Sequence, residues 1–373
     1  LQQGSGVIWL DGGNFAELLS PQGEVKTRYL LRAQQQLGCA AALTADREFA
    51  YSLAGQLRQF PHLLATNVQS GDSPALPTHR QLSVDTASGS VTLTIVGVLS
   101  QKSKIASHTV AKQEQENLQV TPPAQAAKTI FSKAPKSAVK IVLAQLERDE
   151  LEKFCAAVPE ADLILAGRSA RRGKSLETLN AIPVVFAEEE PKGYTLLLLR
   201  KALNMWTVTA EPKELGSNIA NDEEMMSLFK SYTEEIAKLP PPPLKEVFSG
   251  IPHAMNYVGS AACQDCHPQA FAAWKKSKHA VALESLRKTN QHTDPECIEC
   301  HSVGYRISTG FESERATPNL AGVGCESCHG KGSGHILKPG PGYGRSAKTS
   351  CRECHTRERS RFNFDAFWEE IKH

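Results

Sequence analysis

The sequence predicts two unlike domains: an N-terminal α/β domain and a C-terminal domain made mainly of helix and loop, with little strand. Three observations predict this. Short apolar runs of strand length alternate with helical stretches from Val7 to Thr209. Four consecutive prolines, Pro240 to Pro243, then interrupt the chain. Beyond them, eight of the ten cysteines crowd between Cys263 and Cys354, in a stretch rich in Gly, Pro and His. The expected boundaries are 1–210 for the first domain, 211–250 for a helix and proline-rich linker, and 251–373 for the second domain.

Taken in order, the strand candidates of the first domain are Val7–Leu10, Cys39–Leu43, Leu63–Val68, Val91–Val98, Val139–Leu143, Leu163–Ala166, Val184–Ala187, Tyr194–Leu199 and Trp206–Thr209. Each is β-branched or apolar and bounded by turn residues. Val25–Leu37, Ala50–Gln59 and Asp149–Val158 carry helical patterns. Asp222 to Leu239 reads as a further helix, with Met226, Leu228, Phe229, Tyr232, Ile236 and Leu239 on its apolar face and Asp222 near its N-terminal cap. The proline run ends it, because proline neither donates a backbone hydrogen bond nor fits a helix interior. Past the linker one long helix is expected, Pro268 to Leu286, with proline in its first turn. The rest is loop and short helix, too poor in aliphatic residues for an ordinary core. A bulky apolar cofactor would supply what the side chains do not.

Charge and hydropathy narrow the classes. The net charge of the 373 residues is +2 with histidine neutral, which gives no reason to expect nucleic acid or an anionic membrane as partner. No apolar run is long enough to span a bilayer. No leader is visible at Leu1, so for an exported protein the numbering starts at or after the processing site.

The decisive feature is Cys-x-x-Cys-His, four times: Cys263, Cys266 and His267; Cys297, Cys300 and His301; Cys325, Cys328 and His329; Cys351, Cys354 and His355. This is the attachment signature of c-type haem. The spacing lets two sulfurs reach the two vinyl groups of one porphyrin edge and puts the next imidazole under the iron. Zinc sites also use Cys-x-x-Cys pairs, but their histidines follow at a distance. Four copies that use every cysteine of the region argue for four haems. Histidines outside the motifs are available as sixth ligands: His253, His279, His292, His335 and His373. Two imidazoles on one iron give a low-spin, electron-transferring centre. Only Met255 offers a thioether in this half.

From Tyr257 to His373 the chain resembles the cytochrome c554 family of tetrahaem cytochromes. The matching pieces are Tyr257 to Ser260, Trp274 to Ala280, Pro295 to Cys297, Cys300 to Gly304, Gly322 to Gly330 followed by Gly334-His335, and the closing Trp368 to His373. The resemblance implies His279, His335 and His373 as distal ligands. The fourth distal position stays open between His292, His253, a histidine of another subunit, and no protein ligand. Tyr257, Phe271, Trp274, Phe311, Phe364 and Trp368 are expected to pack on porphyrin faces. Arg352, Arg357, Arg359 and Arg361 crowd the last motif, either as a solvated face that balances propionates or as a docking patch for an acidic partner.

Val7 to Thr209 resembles the metallophosphatase domain of the 5′-nucleotidase (UshA-like) family, which implies a β-sandwich flanked by helices. The matching stretches are Val7 to Asn14, Ala45 to Phe49, Thr66 to Val68, Ile141 to Leu146 and Ala161 to Ala170. The metal ligands of that family are not carried over. Asn14 stands at the bridging Asp, Ala45-Asp46-Arg47-Glu48 replaces Gly-Asn-His-Glu, Gln145 replaces a ligand His, and Arg168-Ser169-Ala170 replaces the Gly-His-x-His end. Asn67 matches a polar family position that binds no metal. His62, His79 and His108 lie at none of the ligand positions. A catalytically inactive phosphatase-like domain follows, because a two-metal centre needs those ligands. Cys39 and Cys155 either pair or sit apart as two buried thiols.

The reading is an electron carrier rather than an enzyme, periplasmic or at the cell surface, since c-type haems are attached outside the cytoplasm. Its expected partners are redox proteins. Two alternatives belong to other classes: a subunit of an extracellular filament that polymerises with its own copies, and a reductase of a small oxyanion at a five-coordinate iron.

Overall fold

The computed structural model describes residues 6–16, 20–51, 57–86, 89–103, 105, 118–167, 175–186, 193–202, 205–216, 218–245, 255–344, 347–356 and 363–373. It divides into two units, Leu1–Leu228 and Phe229–His373.

The elements of the first unit follow in chain order: β1 (Trp9–Asp11), α1 (Pro21–Gln36), β2 (Cys39–Leu43), β3 (Leu63–Leu64), β4 (Val68–Ser70), β5 (Ser73–Pro74), β6 (His79–Thr86), β7 (Gly89–Leu99), β8 (Leu118–Val120), α2 (Pro123–Phe131), β9 (Val139–Gln145), α3 (Arg148–Ala157), β10 (Leu163–Ala166), β11 (Leu176–Leu179), β12 (Ile182–Phe186), β13 (Gly193–Ala202) and β14 (Met205–Glu214). Helix α4 (Glu223–Ile236) crosses into the second unit. Asp222 caps it as expected, accepting from Met225 N–H at 2.9 Å.

A six-stranded sheet of order β11-β12-β10-β9-β7-β6 organises the unit. Its four inner strands run parallel, and β6 and β11 close the edges antiparallel. Alternation along the strands splits the core in two. Ile95, Ile141, Leu143, Leu163 and Val185 face the parallel β1-β2-β3 sheet through Leu43, Leu63 and Leu64. Their neighbours Val96, Val142, Ala144, Ile164 and Val184 face Phe131 of α2 and Leu151, Phe154 and Cys155 of α3. Both faces are covered, so these strands read as unbroken apolar runs. The β13–β14 hairpin lays Leu197, Leu199, Trp206 and Val208 against the first core.

One expectation is corrected here. Ala50–Gln59 is not a continuous helix: Tyr51 is extended after a 3-10 turn over Glu48–Ala50, a second turn covers Leu57–Gln59, and 52–56 lie outside the described residues.

The second unit holds α5 (Pro268–Lys276), α6 (Ala282–Lys288), α7 (Pro295–His301), α8 (Cys325–His329), α9 (Ser333–Leu337), α10 (Ala347–Cys354) and α11 (Phe364–Ile371). The single helix expected over Pro268 to Leu286 is broken between α5 and α6. Ser277 is extended, and its N–H and Oγ both donate to the Trp274 carbonyl, which ends α5. The freed His279 carbonyl accepts from Val323 N–H at 3.0 Å, and Trp274 Nε1 donates to the Val323 carbonyl at 2.8 Å. The break is therefore held by a distant segment, which no local pattern encodes. The apolar core of this unit is small: Leu283, Leu286, Ile298, Val303, Phe311 and Leu320. Among the described residues no helix is long and apolar enough to cross a membrane.

Cys39 and Cys155 belong to the two different cores, on opposite faces of the six-stranded sheet, and both thiols are free. Burial pushes Cys39 up to about 12 and Cys155 up to about 11, which removes the reactive thiolate at neutral pH. Both should resist alkylation in the native protein and react only after unfolding. Peptide mass spectrometry of protein labelled before and after denaturation checks this, and a Cys39–Cys155 crosslink would contradict it.

Candidate haem-binding site

Each Cys-x-x-Cys-His run folds as a turn of helix. Helices α7 and α8 span the second and third motifs. In the first and fourth, the final histidine N–H donates to the carbonyl of the leading cysteine, His267 to Cys263 and His355 to Cys351, both at 2.9 Å. Two sulfurs three residues apart then share a face, and the imidazole follows beside them. Local capping supports the second motif: Asp294 accepts from Glu296 N–H at 2.9 Å, with proline at the first helical position.

The structure brings three motif histidines to a second histidine. Ring centroids lie 6.2 Å apart for His267 and His335, 6.1 Å for His355 and His279, and 5.9 Å for His329 and His373. Two imidazoles bonded from opposite sides to one metal, each at about 2 Å, have centroids about 6 Å apart. The donor set therefore fits bis-histidine iron at three motifs. His301 has no such partner among the described residues; its Nδ1 donates to the Ala282 carbonyl at 2.7 Å, which leaves Nε2 as the free donor atom. His292 is half-buried in the loop between α6 and α7, with Nδ1 buried and without a hydrogen-bond partner. It is not brought against His301. His253, Arg357, Arg359 and Arg361 lie outside the described residues.

The histidines form two clusters. Burial first, and then neighbouring imidazoles, push three of them down: His329 beside His373 and His267, His279 beside His355 and His301, and His355 beside His301. A lowered imidazole is neutral at pH 7 and keeps the lone pair that iron needs. The cysteines follow the same grouping. Cys263 lies beside Cys325, and Cys300 beside Cys354, close enough for each to shift the other electrostatically. The first and third motifs thus meet at one place, and the second and fourth at another.

Two contributors were not read from the sequence. Tyr343 stacks on His335 at 4.5 Å and 8°, lies 6.3 Å from the His329 ring, and donates its hydroxyl to the Gly330 carbonyl at 2.6 Å. It stands 14 residues after His329, as the numbering shows, beyond any motif spacing. Glu326, inside the third motif, is buried and, among the described residues, accepts only from backbone N–H groups.

In the first unit the polar residues singled out from the sequence are tied into the fold. Glu48 accepts from the N–H groups of Asn14, Ala16 and Ala45 at 3.1, 2.8 and 2.7 Å. Gln145 Nε2 donates to the Gly12 carbonyl at 2.9 Å. Asn67 bridges the Leu99 and Thr121 backbones. Asp11 accepts from Gly13 N–H and from Gln34, whose amide oxygen meets the buried His62. Burial pushes the Asp11 and Glu48 carboxyls up, against N–H donors that pull them down. Arg168, Ser169, Ala170 and His108 lie outside the described residues.

Residues 262–330 match the profile of the family described as cytochrome c554 and c-prime. The chain is 32% identical over 127 residues to cytochrome c-554 of Nitrosomonas europaea, 29% of this chain and 54% of that protein. It is 37% identical over 68 residues to C-type polyheme cytochrome OmcB of Geobacter sulfurreducens, 17% of this chain and 9% of that protein. Two solved structures, both from Thermus thermophilus, share the fold at 16% identity. They are the sulfate thiohydrolase SoxB, with TM-score 0.51 over 70% of this chain and 50% of that one, and a 5′-nucleotidase precursor, with TM-score 0.50 over 61% and 49%. The chain thus spans about half the length of cytochrome c-554 and of both structures. Both resemblances read from the sequence hold: a metallophosphatase-like α/β fold precedes a helix-and-loop region similar to c-type cytochromes. That similarity implies c-type haem and supports electron transfer.

Glu48→Ala strands two buried N–H groups, of Ala16 and Ala45, and the part-buried one of Asn14. It should lower the stability of the N-terminal unit by about 2–4 kcal/mol, seen as an earlier urea midpoint; an unchanged midpoint would show the carboxylate to be dispensable.

Proposed function

We propose that the C-terminal unit carries four c-type haems and passes electrons between redox partner proteins outside the cytoplasm. The observation that supports it best is the set of three imidazole pairs at 5.9 to 6.2 Å, each joining a motif histidine to one remote in sequence. Bound haem would supply the one-electron iron couple. The chain's part is to hold each site. Cys263, Cys266, Cys297, Cys300, Cys325, Cys328, Cys351 and Cys354 anchor the porphyrins as thioethers. His267, His301, His329 and His355 are the proximal ligands, and His335, His373 and His279 are the distal ligands of the first, third and fourth motifs. The small apolar core agrees with cofactors that complete it.

The N-terminal unit acts in this reading as a scaffold or docking body without phosphatase chemistry. Support comes from Glu48, Asn67 and Gln145, whose polar atoms are spent on backbone groups rather than pointed at a shared centre.

A second reading is favoured by His301 alone, which has no second imidazole among the described residues. The open position on its iron would accept a small oxyanion for reduction, His292 of the same chain, or a histidine from another copy in a filament. EPR of the monomer separates these: a high-spin signal supports small-molecule access, and four low-spin signals in protein that images as filaments support the polymer.

Intact mass should exceed the polypeptide by four haems. His335→Ala, His279→Ala and His373→Ala should each convert one low-spin haem to high-spin with every thioether kept, read by optical and EPR spectra. A colourless protein, or variants with wild-type spectra, would refute the assignment.

A further inference from the structure

We propose that Glu326 positions the His267–His335 pair and tunes the first and third haems with a fixed buried negative charge. The inference rests on the haem reading above. Its place in the motif is the first sign. In three motifs the acidic residue occupies the second of the two intervening positions, as Asp265, Glu299 and Glu353; in the third motif it occupies the first. One residue along a helix is a rotation of about 100°. Asp265 and Glu299 are exposed and Glu299 pairs with Lys245, whereas Glu326 is turned inward and is 3% exposed.

The contacts of Glu326 explain what it holds. It accepts from Val258 N–H at 3.0 and 3.1 Å, from Gly259 N–H at 2.8 Å, and from Gly332 N–H at 2.7 Å. Gly259 is the residue just before the 3-10 turn Ser260–Cys263 that starts the first motif and leads to His267. It has φ +88°, and a Cβ there would meet Asn319 at 2.8 Å. Gly332 is the residue just before α9, which carries His335. A single carboxylate in the third motif therefore grips the approach to both imidazoles of the first. Cys325 N–H, donating to Ser260 Oγ at 3.0 Å, ties the same two motifs. Shifting either approach would alter the 6.2 Å separation and 21° angle between the His267 and His335 rings.

The second effect is electrostatic. Among the described residues all four contacts come from N–H groups and none from a cation, so the carboxylate is an acceptor whose charge is solvated by dipoles and not cancelled. It lies within Coulombic reach of Cys263 and Tyr343, beside the joined first and third motifs. One-electron reduction of a neighbouring iron adds negative charge, which a buried carboxylate opposes. Removing that charge must favour the reduced state.

The test is spectroelectrochemical titration of the full-length holoprotein as wild type, Glu326→Gln and Glu299→Gln, after intact mass has counted the haems. Failure of the wild type to carry haem would defeat the functional reading; the potentials test the role of Glu326 alone. In Glu326→Gln, two of the four couples should shift at least about tenfold toward reduction, about 59 mV each, and the other two should hold. Glu299→Gln, exposed and in the second motif, should leave all four in place. Glu326→Gln with four bound haems and unmoved couples would overturn the proposal. If that variant does not mature, Glu326→Asp retains the charge on a shorter stem. It should keep the wild-type potentials while changing the EPR signal of one low-spin haem; wild-type EPR would overturn the positioning role.

Discussion

A turn of helix places two sulfurs and an imidazole on one patch of surface, and at three of the four motifs the fold brings a second imidazole to that patch. The first task is local. It needs five residues and the backbone bond from the histidine N–H to the leading cysteine carbonyl, seen at His267 and His355. The second is not local: His279 comes to His355, His335 to His267, and His373 to His329. A unit whose apolar cluster has so few members cannot fix such separations by side-chain packing alone. Backbone anchors do it instead. The His279 carbonyl holds Val323, Trp274 Nε1 holds the Val323 carbonyl, and Glu326 holds Val258, Gly259 and Gly332.

Hydrogen bonds tie the loops of the N-terminal unit as well. Glu48 links the loop after β1 to the loop after β2, and Gln145 links the end of β9 to Gly12. The sheet beneath needs neither device, since both its faces are closed by apolar cores. The strands are thus held by apolar cores, and the loops above them by hydrogen bonds.

How much of this was legible in the sequence follows from range. The inner strands β7, β9, β10 and β12 are buried on both faces, and their apolar runs announce them. The edge strands β6 and β11, in contrast, alternate with exposed polar residues and pair on one side only, so their composition resembles loop. The short helix α2 starts from Pro122-Pro123, which reads as a break until the proline is seen at its first position. The cysteine motifs are local and were fully visible. The break between α5 and α6 was not, because one of its anchors, Val323, is about forty residues away by the numbering. Tyr343 and Glu326 were invisible for a related reason: a tyrosine in a glycine-rich loop and a glutamate between two cysteines acquire meaning only from what folds against them.

The grouping of the motifs bears on any route for electrons. Chain order would run from the first motif to the fourth, but contact order does not. Cys263 of the first is the electrostatic neighbour of Cys325 of the third, and Cys300 of the second that of Cys354 of the fourth. The two groups approach through the third and fourth motifs, where α8 and α10 pack together and Cys328 lies within Coulombic reach of Cys354. With haems on the motifs as proposed, the fourth motif, last in sequence, is not a terminal station. The first and second become the ends, and the third and fourth the inner pair. His301, the histidine without a second imidazole among the described residues, then stands at one end of the array rather than within it.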